Sequence, residues 1–82
     1  IAEKQYSTAI GYMATAGGDN SIAIGKSATA SLDDSIAIGF GSVASEKFST
    51  AIGKGAEASK QYSTAIGYKA KADATNSTAK KI

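Results

Sequence analysis

A few short stretches carry residue types that could do chemistry. Gly25-Lys26-Ser27 has the ending of the Gly-x-x-x-x-Gly-Lys-Ser loop, in which backbone N–H groups cradle phosphates and the lysine reaches the terminal ones. That loop needs a glycine five residues ahead of Gly25, where Asn20 stands, and it needs a strand-to-helix junction. Ser77-Thr78-Ala79-Lys80 has the Ser-x-x-Lys spacing of penicillin-binding enzymes, but the companion motifs of that chemistry are absent. Asp33-Asp34 is the one adjacent carboxylate pair that could do acid–base work, and it lies among turn residues, where two solvated carboxylates are expected. Gly17-Gly18-Asp19 echoes a calcium-binding repeat, yet it occurs once and at the wrong period. Asn76-Ser77-Thr78 matches a glycosylation sequon, and the same residues are explained as a repeat junction. The chain has no His and no Cys, so the commonest general base and the thiolate metal ligand are both missing. No nucleophile–base–orienter set can be assembled. The reading is a protein without catalytic residues, metal ligands or cofactors, and not an enzyme.

Composition narrows the class further. The chain has 82 residues, room for one small domain, with a formal charge of +2 and no Arg. Nucleic-acid binders show a basic cluster on one face, and none is legible here, so no nucleic-acid partner is expected. No apolar run is long enough to span a membrane, and no signal segment stands at the start. Ile1-Ala2-Glu3-Lys4-Gln5-Tyr6 is already in register with Glu57-Ala58-Ser59-Lys60-Gln61-Tyr62. The chain therefore reads as a piece of a longer array, with membrane attachment only through anchor segments outside it.

What organises the chain is a repeat. Ser7-Thr8-Ala9-Ile10-Gly11 recurs as Ser21-Ile22-Ala23-Ile24-Gly25, Ser35-Ile36-Ala37-Ile38-Gly39, Ser49-Thr50-Ala51-Ile52-Gly53 and Ser63-Thr64-Ala65-Ile66-Gly67, each fourteen residues on. A sixth copy starts at Ser77 and breaks at Lys80-Lys81. Repeats starting at 7, 21, 35, 49, 63 and 77 assign residues 1–79 to one repeat domain. Residues 80–82 are a departure, read as a junction to a neck, a stalk or a coiled-coil fusion.

Fourteen residues are two heptads, but the heptad seam would fall on Ser and Gly, so the helical reading fails. Alternation does better. With Ser counted as position one, Ser, Ala and Gly at one, three and five share a face of a strand. Positions two, four and six share the other. A second short strand puts Ala at eight and ten on one face and varied residues at seven, nine and eleven on the other. Positions eleven to fourteen carry turn residues. Two strands and two turns make one coil of a parallel β-solenoid, stacked at about 4.8 Å per rung into a rod roughly 25–30 Å long.

Side-chain size suggests which face is inside. The small residues make a thin interior of Ala9, Ala23, Ala37, Ala51 and Ala65 from the first strands and Ala16, Ala30, Ala44, Ala58 and Ala72 from the second. Ile10, Ile24, Ile38, Ile52 and Ile66 then form an outward ladder, joined by Ile22 and Ile36. So thin an interior stabilises a lone coil poorly, and a continuous outward Ile stripe suits a partner. The expectation is an obligate oligomer with its main apolar core between chains. The converse, Ile inside and Ala outside, would make a self-sufficient monomer.

The Ser-x-Ala-Ile-Gly core, with small residues at positions eight and ten, closely resembles the head repeats of YadA-like trimeric autotransporter adhesins. Asn20-Ser21-Ile22-Ala23-Ile24-Gly25 nearly repeats that family's Asn-Ser-Val-Ala-Ile-Gly motif. The resemblance implies an all-β, left-handed parallel β-roll, a homotrimer, and display on the Gram-negative cell surface through an outer-membrane anchor. It also implies attachment to host extracellular-matrix proteins of the collagen, fibronectin or laminin class, and autoaggregation. Position fourteen departs from the family pattern: it is Asn at Asn20 and Asn76 but Tyr6, Asp34, Phe48 and Tyr62 elsewhere.

Three function classes follow. The first is adhesion by many weak contacts from a repetitive surface, with Thr15, Val43, Glu57, Lys71, Lys47 and Lys60 as the outward residues placed to meet a ligand. The second is a passive spacer in an adhesin fibre, projecting a distal binding tip. The third is ice binding by a Thr-rich face, for which the grid of Thr8, Thr50, Thr64 and Thr78 is too broken.

Overall fold

Each fourteen-residue repeat folds into one strand of three residues and one of two. The computed structural model describes residues 1–2 and 4–81. Glu3 and Ile82, the latter closing the 80–82 departure, lie outside the described residues. The longer strands are β1 (Thr8–Ile10), β3 (Ile22–Ile24), β5 (Ile36–Ile38), β7 (Thr50–Ile52), β9 (Thr64–Ile66) and β11 (Thr78–Lys80). The shorter ones are β2 (Thr15–Ala16), β4 (Thr29–Ala30), β6 (Val43–Ala44), β8 (Glu57–Ala58) and β10 (Lys71–Ala72).

Strands of each kind pair only with their own kind, all parallel. They form a six-stranded sheet β1-β3-β5-β7-β9-β11 and a five-stranded sheet β2-β4-β6-β8-β10. The register shift is one repeat throughout, so Ala9 sits beside Ala23, Ala37 beside Ala51 and Ala44 beside Ala58. The result is a β-solenoid of about five coils with extents of 29 × 22 × 12 Å. Stacked rungs at about 4.8 Å account for most of the longest dimension.

The turns explain how so short a coil closes. After the first strand, the Gly carbonyl at position five accepts a hydrogen bond from the N–H at position eight, at 3.1 Å for Gly11–Ala14 and 3.2 Å for Gly25–Ala28. The residue at position seven has positive φ: 61° at Met13, 61° at Ser27, 68° at Gly41 and 55° at Lys69. The second turn repeats this, with positive φ at Asn20 (58°), Asp34 (58°), Phe48 (62°) and Tyr62 (61°). Positive φ at the third residue only is the type II signature. The ladder continues through the turns, since Asn20 N–H donates to the Gln5 carbonyl and Asp34 N–H to that of Asp19, each at 2.9 Å. Each unfavourable backbone conformation is thereby held by its neighbours above and below.

One expectation is corrected here. Alternation assigns positions five and six to the first strand, whereas that strand ends at position four and five to seven form a turn. The cause is the Gly at position five. Gly39 has φ +125°, and a Cβ on it would sit 2.6 Å from the Gly53 carbonyl oxygen of the next rung. No L side chain fits both conditions.

The interior is built from Ala and Ser. Ala16, Ala23, Ala30, Ala37, Ala44, Ala51, Ala58 and Ala65 are fully buried, and Ala72 is nearly so. Ala9, in the first complete coil, is half-buried and packs against this cluster. Ser21, Ser35, Ser49 and Ser63 are also fully buried, and their hydroxyls donate to the carbonyl three residues back, at 2.7 Å for Ser21–Gly18 and 2.6 Å for Ser35–Leu32. A buried hydroxyl without a partner would cost on the order of 1–3 kcal/mol. Here it fastens the second turn instead, and no buried side-chain polar atom among the described residues lacks a partner.

Candidate functional site: an outer surface of residue ladders

Every outward position becomes a column, because residues fourteen apart lie on neighbouring rungs. On the outer face of the six-stranded sheet, position four runs Ile10, Ile24, Ile38, Ile52, Ile66, beside a position-two column that includes Ile22 and Ile36. The central isoleucines are half-buried, since each is flanked by the rungs above and below. Ile10 is 57% exposed and Ile66 40% exposed. Lys80 takes the rung beyond Ile66 and ends the apolar column.

The six outward residues expected to meet a ligand are split between two surfaces. Thr15, Val43, Glu57 and Lys71 share one column with Thr29 on the outer face of the five-stranded sheet. That column runs from Thr at one end to charge at the other, where Lys71 Nζ lies 3.8 Å from Glu57 Oε1. Both groups are largely exposed, so the pair contributes little to stability. Lys47 and Lys60 are exposed in the second-turn edge, away from that column.

The motifs suggestive of chemistry take structural roles. Gly25-Lys26-Ser27 is a type II turn leading to a strand, not to a helix. Ser77 and Lys80 are three apart along an extended segment, which sends their side chains to opposite faces. Asp33 is more than a solvated carboxylate: its Oδ1 accepts a hydrogen bond from the Asp19 N–H one rung away, at 3.0 Å. Among the described residues no pocket is enclosed, and no three acidic side chains are grouped to share a metal ion. The chemistry available is that of an extended surface.

Of two edge columns, the one at position six was not singled out by the sequence reading, and the one at position fourteen was noted there as a departure from the family pattern. At the first turn, position six alternates Tyr12, Lys26, Phe40, Lys54 and Tyr68. Lys26 Nζ lies 5.9 Å from the Tyr12 ring centroid and 5.7 Å from that of Phe40; Lys54 Nζ lies 5.6 Å from Phe40 and 5.9 Å from Tyr68. At the second turn, Phe48 and Tyr62 stack with centroids 5.1 Å apart and planes inclined by 5°. The fourteen-residue spacing was the available signal for both. It becomes contact only once the coils are stacked.

A family model of the YadA head domain repeat, two copies long, matches residues 2–28, 17–42, 30–56 and 58–79. The chain belongs to the YadA head repeat family. It is thus an adhesin-type head segment, and in this chain the matched repeats fold as the β-solenoid coils described above. No curated protein matches the chain. The geometry also gives a physical reason for Asn in the motif of YadA-like heads. Position fourteen has left-handed φ, which Asn tolerates better than most residues. Asn20 and Asn76 meet that need directly, while Phe48 and Tyr62 adopt it at a steric cost that their ring stack helps offset.

Proposed function

We propose that this chain is a segment of a homotrimeric adhesin head, displayed on a bacterial surface, that attaches to host extracellular-matrix proteins. The observation that carries the reading is the Ile column of β1, β3, β5, β7 and β9. It is continuous, apolar and incompletely covered within one chain, while the buried residues among those described are all small: Ala, Ser and Gly18. Two further copies would cover Ile24, Ile38 and Ile52 and supply the large apolar core that a single coil lacks. Family membership supports the number three, the surface location and the anchor beyond this segment. With three copies of each column on one rod, weak contacts to an extended matrix protein multiply into usable avidity, and the same property favours autoaggregation.

The test fuses the chain in register to a trimeric coiled coil and measures surface plasmon resonance on immobilised collagen, fibronectin and laminin. Ile38→Asp with Ile52→Asp serves as the interface control, with mass followed by light scattering. The expected result is binding to one of the three ligands, lost together with the trimer in the double variant. A second reading is favoured by the uninterrupted register from β1 to β11, which has no inserted loop to make a special contact. On that reading the segment is a rigid spacer for a distal tip, and a well-folded trimer that binds none of the three ligands would favour it over attachment to matrix proteins.

A further inference from the structure

The two long edges of the solenoid differ in charge. The first-turn edge, positions five to seven, holds Lys26, Lys54, Lys69 and Lys81 and no acidic residue. The second-turn edge, positions eleven to fourteen, holds Asp19, Asp33, Asp34, Glu46 and Asp73 among its described residues, with lysines interspersed. The first-turn edge is also where the aromatic rings alternate with lysines. Lysines from the rungs on either side lie over the Phe40 ring, and both Lys54 and Lys69 lie over Tyr68, the latter at 5.4 Å. Because position six sits in a turn, this column stands beside the Ile face and is not part of it.

The packing of the column has two consequences. Each lysine is held over a ring, so its ammonium group is already partly ordered, which lowers the entropy lost when it meets a ligand. Phe40 has a lysine from each neighbouring rung over its ring, with its positively polarised edge beside their ammonium groups, whereas Tyr12 has one lysine over it and is 70% exposed. Lys26 and Lys54 are two rungs apart, about 9.6 Å along the rod. That spacing is on the scale of one disaccharide in an extended polysaccharide. Single-stranded nucleic acid is the other polymer that favours lysines with aromatics, but it binds by laying bases on open ring faces, and the central ring, Phe40, has a lysine from each neighbouring rung over it.

We propose that the first-turn edge, centred on Lys26, Phe40 and Lys54, is a binding ridge for a sulfated polysaccharide running along the rod axis. This ridge is independent of the matrix-protein reading and can operate in a head that binds no protein. The test probe is heparin, immobilised for surface plasmon resonance, with the chain fused in register to a trimeric coiled coil as analyte. K26Q/K54Q is compared with K47Q/K60Q, which removes the same charge from the opposite edge; circular dichroism verifies that each folds. The ridge predicts that K26Q/K54Q weakens binding about tenfold and steepens its loss with salt less, because fewer counterions are displaced. K47Q/K60Q should stay within about twofold. Phe40→Leu, which keeps both lysines but removes the ring that orders them, should weaken binding about threefold. Fully desulfated heparin should compete poorly, and so should single-stranded DNA of equal length. Equal losses in the two double variants would reduce the effect to net charge and overturn the ridge. So would absence of binding by the wild type. DNA competing as well as heparin would assign the edge to nucleic acid instead.

Discussion

Two glycines two residues apart do different work. Gly39 sits at φ +125° with the next rung's Gly53 carbonyl 2.6 Å from where a Cβ would stand. Gly41 sits at φ +68° with nothing within 4 Å of that point, and its position is filled by Met13, Ser27 and Lys69 in other coils. Gly39→Ala should therefore destabilise the fold by about 3 kcal/mol, combining backbone strain with a collision that stacked rungs cannot relieve. Gly41→Ala should cost about 1 kcal/mol, the ordinary penalty of a left-handed alanine. Thermal unfolding of both variants checks the ranking, and equal losses would refute the close-approach argument. Neither the φ value nor the rung contact is visible in one copy of the repeat. The recurrence of Gly at position five points to a backbone demand, but not to which demand.

At the scale of the strands, alternation between Ala and its neighbours sets the thickness of the coil. Ala37 in β5 is fully buried, while Ile36 and Ile38 on either side are only half-covered. The facing five-stranded sheet brings its own Ala44 and Ala30 inward, leaving no depth for a longer side chain. Ala37→Leu should cost about 3 kcal/mol by overpacking, or prevent folding altogether. Ile36→Thr should be nearly neutral in the isolated chain, because Thr8, Thr50 and Thr64 occupy that column already. Denaturant midpoints for the pair would decide whether the small residues set the spacing between sheets. The strand lengths were less legible. Gly and the residue after it alternate in pattern like strand residues, and it is the positive φ and close rung approach of the Gly at position five, followed by left-handed φ at position seven, that take them out of the sheet.

For the whole molecule, stability is close to a sum over coils and the contacts between neighbouring coils. Each rung bonds only to the rungs beside it, so a complete repeat can be removed without orphaning a ladder. Deleting residues 35–48 joins Asp34 to Ser49 in register. The shortened chain should unfold cooperatively at a lower temperature and be about 4.8 Å shorter by small-angle scattering. Deleting thirteen residues should abolish the fold, because a one-residue slip reverses which side chains face inward. Survival of the thirteen-residue deletion would show that the register is not what holds the rod together.

The period and the order of small and large residues within it were enough to determine a parallel β-solenoid with fourteen-residue coils. Repetition forces each residue type beside itself on the next rung, and short alternation leaves no other regular solution. The Ser-x-Ala-Ile-Gly core was likewise enough to point to the YadA head family. Only the tertiary structure decided where each strand stops, because that depends on backbone space between Gly25, Gly39 and Gly53 of successive rungs. It also decided what the varied positions make together. Tyr12, Lys26, Phe40, Lys54 and Tyr68 read as unrelated substitutions along the chain, and become one cation–aromatic column only when a turn carries position six to the edge and stacking brings each within reach of the next. Local pattern specifies the rung; contacts between side chains fourteen residues apart exist only in the stack.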